Sequence, residues 1–188
     1  MDIMIDTEFL SFRMDSFILS IGAVAFDVAQ PEFKVISEFY EVPTVDSQKY
    51  GKMDGSVLNF WLTQGAEVKE AIIKHKEKKG IVGALLGLSA WLYQFKQPDK
   101  TLRVWSHGAA CDLPLLFHTY KLYDLNCPWH YQSPRDTRTL FDLCPIDISK
   151  LVGENENKHN ALADAIYQAK KVHAAWDYTR MRLDQKGE

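Results

Sequence analysis

Residues 1–11 read MDIMIDTEFLS, and the step from Ile3, Met4 and Ile5 into Asp6 and Glu8 decides how the rest of the chain is read. On a β-strand, successive side chains point to opposite faces, so residues i and i+2 share a face about 7 Å apart. Asp6 and Glu8 therefore project together from the end of an apolar strand. Two anions so placed repel, and one is driven toward protonation unless a positive group stands between them. Mg²⁺ or Mn²⁺, which prefer carboxylate oxygens, would supply that group. A polar strand end in solvent is the plainer alternative, because D-x-E recurs by chance.

The 188 residues suit a single domain, 1–188, large enough for a real core. A composition of 46% hydrophobic and 25% charged residues is that of an ordinary globular protein. The net charge of −3 counts against a broadly basic nucleic-acid binder, so a polyanion site has to be local or metal-assisted. Catalytic carboxylates themselves push that sum negative. Cys111, Cys127 and Cys144 are odd in number and form no C-x-x-C pair, which points to a reducing, cytoplasmic setting. No secretion signal precedes the first strand. The apolar stretch from Ile81 to Phe95 is too short and mixed to span a bilayer, so no membrane partner is expected.

The spacing predicts strands over Asp2–Thr7, Phe17–Asp27 and Phe33–Val42, the last two as an antiparallel hairpin. A helix capped by Asp54 or Ser56 follows, with Val57, Leu58, Trp61 and Leu62 at helical spacing and Gly65 as its stop. Ala66–Lys79 continues as a charged helix. Val82, Leu85, Leu86, Ser89, Leu92 and Phe95 mark another helix, Thr101–Ser106 a strand, and Leu113–Tyr123 a helix with Pro114 in its first turn. A loop over Asn126–Pro134, a short helix over Arg135–Leu143 and a polar loop over Gly153–Lys158 come next. The last helix, Asn160 to Arg182, carries a stripe of Leu162, Ile166, Ala169, Val172 and Trp176. Strands first, then helices alternating with strands, make a mixed α/β sheet with flanking helices.

Two further acids stand apart from these packing patterns. Asp112, in SHGAACDLPLL, sits at the threshold of a helix, where N-capping is its common job. Asp164, in KHNALADAIYQA, lies in the first turns of the final helix and off its apolar stripe, where the helix dipole favours an acid anyway. His159 is five residues earlier. At about 100° per residue the two are ~140° apart on a continuous helix, so they converge only if His159 belongs to the preceding turn.

Taken in order, Asp6, Glu8, Asp112 and Asp164, with a histidine five before the last, resemble the DEDDh pattern of 3′–5′ exonucleases, a superfamily with an RNase H-like fold. The likeness is greater to the phage T4 exonuclease A group and the bacterial RNase AS-type exoribonucleases. IDTEF, SIGAVAFD, the Phe60–Trp61 pair, CDLPLL, RDTRT and HNALADA carry it across nearly the whole chain. Many relatives have Asn four residues before the second-motif aspartate and Phe immediately before it. Here those positions are Gly108 and Cys111. His107, five before Asp112, either compensates or simply packs in the strand turn.

The resemblance implies an RNase H-like mixed sheet flanked by helices, and hydrolysis of single-stranded RNA or DNA from its 3′ end to nucleoside 5′-monophosphates. It implies two divalent cations, Mg²⁺ or Mn²⁺, held about 3.5–4 Å apart. Asp6 would bridge both, Glu8 and Asp164 would complete one, and Asp112 would hold the other through water. His159 would take the proton from the attacking water. Arg135 and Arg138 are candidates for contacting phosphate or ordering the site, with surface ion pairs to Asp136 and Asp142 as the alternative. Phe9 and Leu10 are candidates for stacking on or wedging beside the terminal base, with core packing as the competitor for Phe9. A homodimer is common among such exonucleases. A silent RNase H-like binding module and a metal-dependent nucleotidase are the rival readings, and RNA against DNA stays open.

Overall fold

In the computed structural model, residues 1–65, 79–96, 101–108, 110–155 and 157–184 are described, with side chains as far as 181. The expected helix over Ala66–Lys79 lies outside the described residues, apart from its last position. Strand β1 (Asp2–Phe9) occupies the middle of a five-stranded sheet. It pairs antiparallel with β2 (Ile18–Phe26), which pairs antiparallel with β3 (Ser37–Glu41). On its other side β1 runs parallel to β4 (Arg103–Ser106), and β4 runs parallel to β5 (Pro134–Asp136). The sheet order is therefore β3-β2-β1-β4-β5.

Alternation along β1 divides the protein into two layers. Ile3 and Ile5 face one side, against helices α2 (Ile81–Tyr93) and α3 (Asp112–Leu122), in a core with Leu85, Leu88, Leu92, Leu116 and Tyr120. Met4 faces the other side, with Val24, Phe26 and Trp105, against α4 (Thr137–Asp142) and, after the one-turn α5 (Ser149–Val152), the long α6 (Ala161–Asp184). A third, smaller cluster of Leu10, Leu19, Val57 and Trp61 seats α1 (Gly55–Thr63) beside the end of β1. Asp2, fully buried, is held at the opposite end of the sheet by Arg103, whose Nε and Nη2 reach it at 2.6 and 2.7 Å, and by the Trp105 indole at 2.8 Å.

Three expectations change. Arg135 belongs to β5 rather than to a helix, and the short helix that follows begins at Thr137 with Asp136 as its cap, accepting from the Arg138 amide. The buried stripe of α6 is Ala161, Ala165, Ala169, Val172 and Ala175, with Leu162, Ile166 and Trp176 only partly buried beside it. On α2 the buried face runs through Ile81, Ala84, Leu85, Leu88 and Leu92, leaving Val82 and Leu86 exposed.

The alanine stripe has a physical cause. Gly22 of β2 lies so close to α6 that a Cβ there would stand 2.2 Å from the Ala161 carbonyl carbon. Only small residues on both sides permit helix and sheet to approach in this way. Gly22 is also the cross-strand partner of Asp6, so the close approach lays the first turn of α6 over the acidic end of β1.

Candidate active site

The side chains of Asp6 and Glu8 point to the α6 face of β1, in phase with Met4. Asp164, in the first turn of α6, arrives above them because of the Gly22–Ala161 contact. One carboxylate oxygen from each of Asp6, Glu8 and Asp164 can be chosen so that all three lie within 4.8 Å of one another. Thr7, between the first two acids, points to the opposite face and meets Asp112 at the head of α3. Its amide donates to Asp112 Oδ1 at 3.0 Å and its hydroxyl to the same atom at 2.7 Å. Asp112 is thus not the helix cap. Cys111 holds that position and makes no side-chain cap bond. The buried carboxylate of Asp112 is instead fixed one residue from each of the other strand acids.

Electrostatics follow from the crowding. Burial, and then the charges of Asp112, Glu8 and Asp164, drive the Asp6 carboxyl well above the ordinary carboxylate range. Glu8 is pushed up to about 8, by burial first and by Asp164 and Asp112 next. Asp112 is raised to about 6 by burial, against the opposing pull of the Thr7 hydrogen bonds and of the Arg138 charge. Asp164 is raised by burial, against bonds from the His159 amide and the Asn155 side chain. Among the described residues no lysine or arginine forms an ion pair with Asp6, Glu8 or Asp164. An all-oxygen donor set with such a charge deficit fits a hard divalent cation.

His159 does belong to the turn before α6. Its backbone is left-handed, with φ +66°, a conformation that costs a non-glycine residue energy and clusters at functional sites. Its amide donates to Asp164 Oδ2 at 2.9 Å, while Asn155 Nδ2 donates to Oδ1 at 2.6 Å. Both oxygens of Asp164 are oriented by this loop. The imidazole packs edge-on against Phe60 and Trp61, with centroids 5.2 and 6.1 Å away. Trp61 is itself anchored by a 3.1 Å bond from its indole N–H to the Phe9 carbonyl.

The remaining candidates separate. Phe9 is half-buried, edge-on to the exposed Phe12 at 5.5 Å, and lines a narrow cleft with Phe12, Cys111 and Leu115. Leu10 is buried in the small cluster with Leu19, Val57 and Trp61, so its side chain packs the core rather than wedging at a base. His107 bonds Thr137 Oγ1 at 2.8 Å beside Phe141, and burial pushes its pKa down, helped by Arg138 and Lys171. This is the structural role that competes with a substrate contact. Arg138 stands beside Gly108, whose φ of +112° strains any residue with a side chain, and its charge acts on Asp112. Arg135 directs Nη1 at the carbonyls of Gln132 (2.6 Å) and Pro134 (2.8 Å), stapling its own loop instead of pairing with Asp136 or Asp142.

Sequence reasoning did not single out Thr7 or Asn155. Thr7 was signalled by strand alternation, since the residue between two same-face acids must face the other layer. Asn155 sits in a polar loop whose path over Asp164 no local pattern records. Tyr40 of β3 is a third, close enough to Glu8 for that charge to raise its pKa, although burial contributes more.

In a mixed sheet of this order, acids from β1, α3 and α6 meet at one end. The chain belongs to the 3′–5′ exoribonuclease Rv2179c-like domain family, whose model matches residues 1–176. No curated protein matches the sequence. Among solved structures, the fold is similar to that of cell-death related nuclease 4, with a TM-score of 0.66 and 12% identity over 94% of this chain. The chain spans 64% of that protein's length. It is also similar to the nuclease domain of 3′hExo, a DEDDh family member bound to rAMP, with a TM-score of 0.63 and 12% identity over 97% of this chain and 92% of that one. Among the described residues no helix is long and apolar enough to cross a membrane.

Proposed function

We propose that the chain is a divalent-cation-dependent exonuclease that removes nucleoside 5′-monophosphates, one at a time, from the 3′ end of a single strand. The observation that carries this is the meeting of Asp6, Glu8 and Asp164 oxygens within 4.8 Å, with Asp112 tied beside them through Thr7. These four acids would hold two Mg²⁺ or Mn²⁺ ions. Such a pair supplies a water nucleophile at neutral pH and neutralises the leaving 3′ oxygen.

The chain's own groups do the rest. The His159 imidazole accepts a proton from the attacking water, its position fixed by Phe60, Trp61 and the hydrogen bond that its backbone amide donates to Asp164. Arg138 offers a cation to a substrate phosphate on the Asp112 side. Phe9 and the exposed Phe12 offer rings to the terminal base. The family's name favours RNA as the strand. Three free cysteines, Cys111, Cys127 and Cys144, support a reducing cytoplasmic setting.

Matched 5′-labelled RNA and DNA single strands, incubated in Mg²⁺, in Mn²⁺ and in EDTA, test the proposal. Stepwise shortening from the 3′ end with release of 5′-monophosphates, abolished by EDTA, is expected. Internal cuts, or hydrolysis of a free nucleotide ester with both strands left intact, would overturn it in favour of an endonuclease or a nucleotidase.

A further inference from the structure

A second cleft opens beside the acidic cluster. Its volume is about 400 Å³, within the ~300–1,000 Å³ range of small-ligand pockets. Leu113, Pro114 and Phe117 of α3, Trp129 and Tyr131 of the following loop, and Arg135 of β5 line it, and the lining is mainly apolar. Leu113 and Pro114 directly follow Asp112. Phe117 lies five residues beyond it, about 7.5 Å along the helix, which is the rise of about two stacked nucleotides at ~3.4 Å each. On another side of the same helical turns, Cys111 and Leu115 line the narrow cleft shared with Phe9 and Phe12. The start of α3, headed by Asp112, thus separates two aromatic clefts.

The rings of the larger cleft suit an inserted planar group. Trp129 is 8% exposed and held edge-on to Tyr120 at 6.0 Å, while Phe117 is 55% and Tyr131 80% exposed. Single exposed aromatics are ordinary. Three rings converging on one concavity that adjoins a hydrolytic cluster are not. The one acid at the rim, Asp136, is already engaged by the Thr139 hydroxyl at 2.8 Å and by the Arg138 amide at 3.2 Å. Arg135 leaves a positive charge there for a strand's phosphates.

We propose that this cleft takes the second nucleobase upstream of the scissile phosphate in the strand being hydrolysed, with Phe117 and Tyr131 flanking the base above Trp129. This rests on the exonuclease reading and adds a second base subsite to it. Stacking is tolerant of sequence, because every base has a π-face. A base must be unpaired to enter, so the subsite commits the enzyme to a 3′ end with several unpaired nucleotides.

The test compares kcat/KM of wild type, the double variant Phe117→Ala/Tyr131→Ala and the single variant Tyr131→Phe. The substrates are a single-stranded hexanucleotide, a dinucleotide and the p-nitrophenyl ester of a nucleoside 5′-monophosphate. Wild type is expected to prefer the hexanucleotide to the dinucleotide, and the double variant to lose that preference about 10- to 100-fold, the worth of one stacked base. Tyr131→Phe is expected to keep it, because stacking does not need the hydroxyl. A double variant with the wild-type preference, or one equally weakened on all three substrates, would overturn the subsite. So would an altered oligomeric mass with the preference intact, which would make the cleft an interface between copies. If wild type hydrolyses only the ester, the exonuclease reading itself fails and the subsite falls with it.

Discussion

Thr7 donates both its amide and its hydroxyl to a single oxygen of Asp112, at 3.0 and 2.7 Å. One residue of the central strand thereby connects the acids on its own two sides to an acid from the opposite layer. Removing the hydroxyl alone, by Thr7→Val, keeps the volume and the amide bond. Because those bonds hold the Asp112 pKa down, the acid limb of the activity–pH profile should move upward, and cation affinity should fall about 10- to 100-fold, as for other groups that orient ligands. Thr7→Ser should restore both. A Val variant with an unmoved profile would show that the hydroxyl does not position Asp112.

Asp6 is the most crowded of the acids, raised by burial and by three neighbouring carboxylates. Asp6→Asn should abolish hydrolysis while leaving the melting temperature in EDTA equal to or above that of wild type. The substitution removes a repelled buried charge, so loss of function and gain of stability should coincide. Near-wild-type turnover by the folded variant would remove Asp6 from the site.

The raised pKa values fix the sign of a pH effect. A carboxyl whose pKa is higher folded than unfolded stabilises the fold when protonated, and that contribution is lost as pH rises from the unfolded value through the folded one. For Asp112 and Glu8 the window runs from near 4, the ordinary value, to about 6 and about 8. In EDTA the protein should therefore become less stable from pH 4 to pH 8. Added Mn²⁺ should raise the melting temperature more at pH 8 than at pH 5.5, since bound cations require the deprotonated acids. An equal shift at both pH values would contradict this.

His159→Ala should lower kcat about 10²- to 10⁴-fold, the usual worth of a general base, with little change in the affinity for cations. His159 contributes its backbone amide, not its ring, to Asp164, which is why the two effects should separate. A pH–rate profile identical to that of wild type would assign the proton transfer elsewhere.

Gly22→Ala tests how the fold builds the site. The added methyl would meet the backbone of Ala161 at 2.2 Å, forcing α6 off the sheet. Overpacking of this kind costs about 1–3 kcal/mol, measurable by urea denaturation. Activity should fall further than that loss explains, because Asp164 moves with the helix. A stable, fully active variant would mean that α6 can be repositioned without disturbing the acids.

Much of this was legible in the sequence because strand alternation and helix ends are local signals. The period of two placed Asp6 and Glu8 on one face, and the switch from strand to helix around residue 112 placed Asp112 at a helix head. What was not legible depended on tertiary distance. β5 has three residues, too few for alternation to show, and it begins with Pro134 and ends in the cap of the next helix, so its sequence reads as a turn. The large side chains of α6 suggest a stripe through Leu162, Ile166 and Trp176, whereas the contact with Gly22 selects alanines. Arg135 offers a charge that suits phosphate, but its bonds to the carbonyls of Gln132 and Pro134, which staple the loop, follow from a chain path that no local pattern records. His159 needed a positive φ to fall back over Asp164, and nothing in GENENKHN specifies one.

The central claim is that Asp6, Glu8, Asp112 and Asp164 jointly hold divalent cations, and anomalous diffraction from crystals soaked in Mn²⁺ measures it directly. Two peaks are expected at the end of β1, both within coordinating distance of Asp6, with Glu8 and Asp164 on one and Asp112 reaching the other through water. Manganese bound only elsewhere, or no peak against these four acids at saturating concentration and pH 8, would contradict the account.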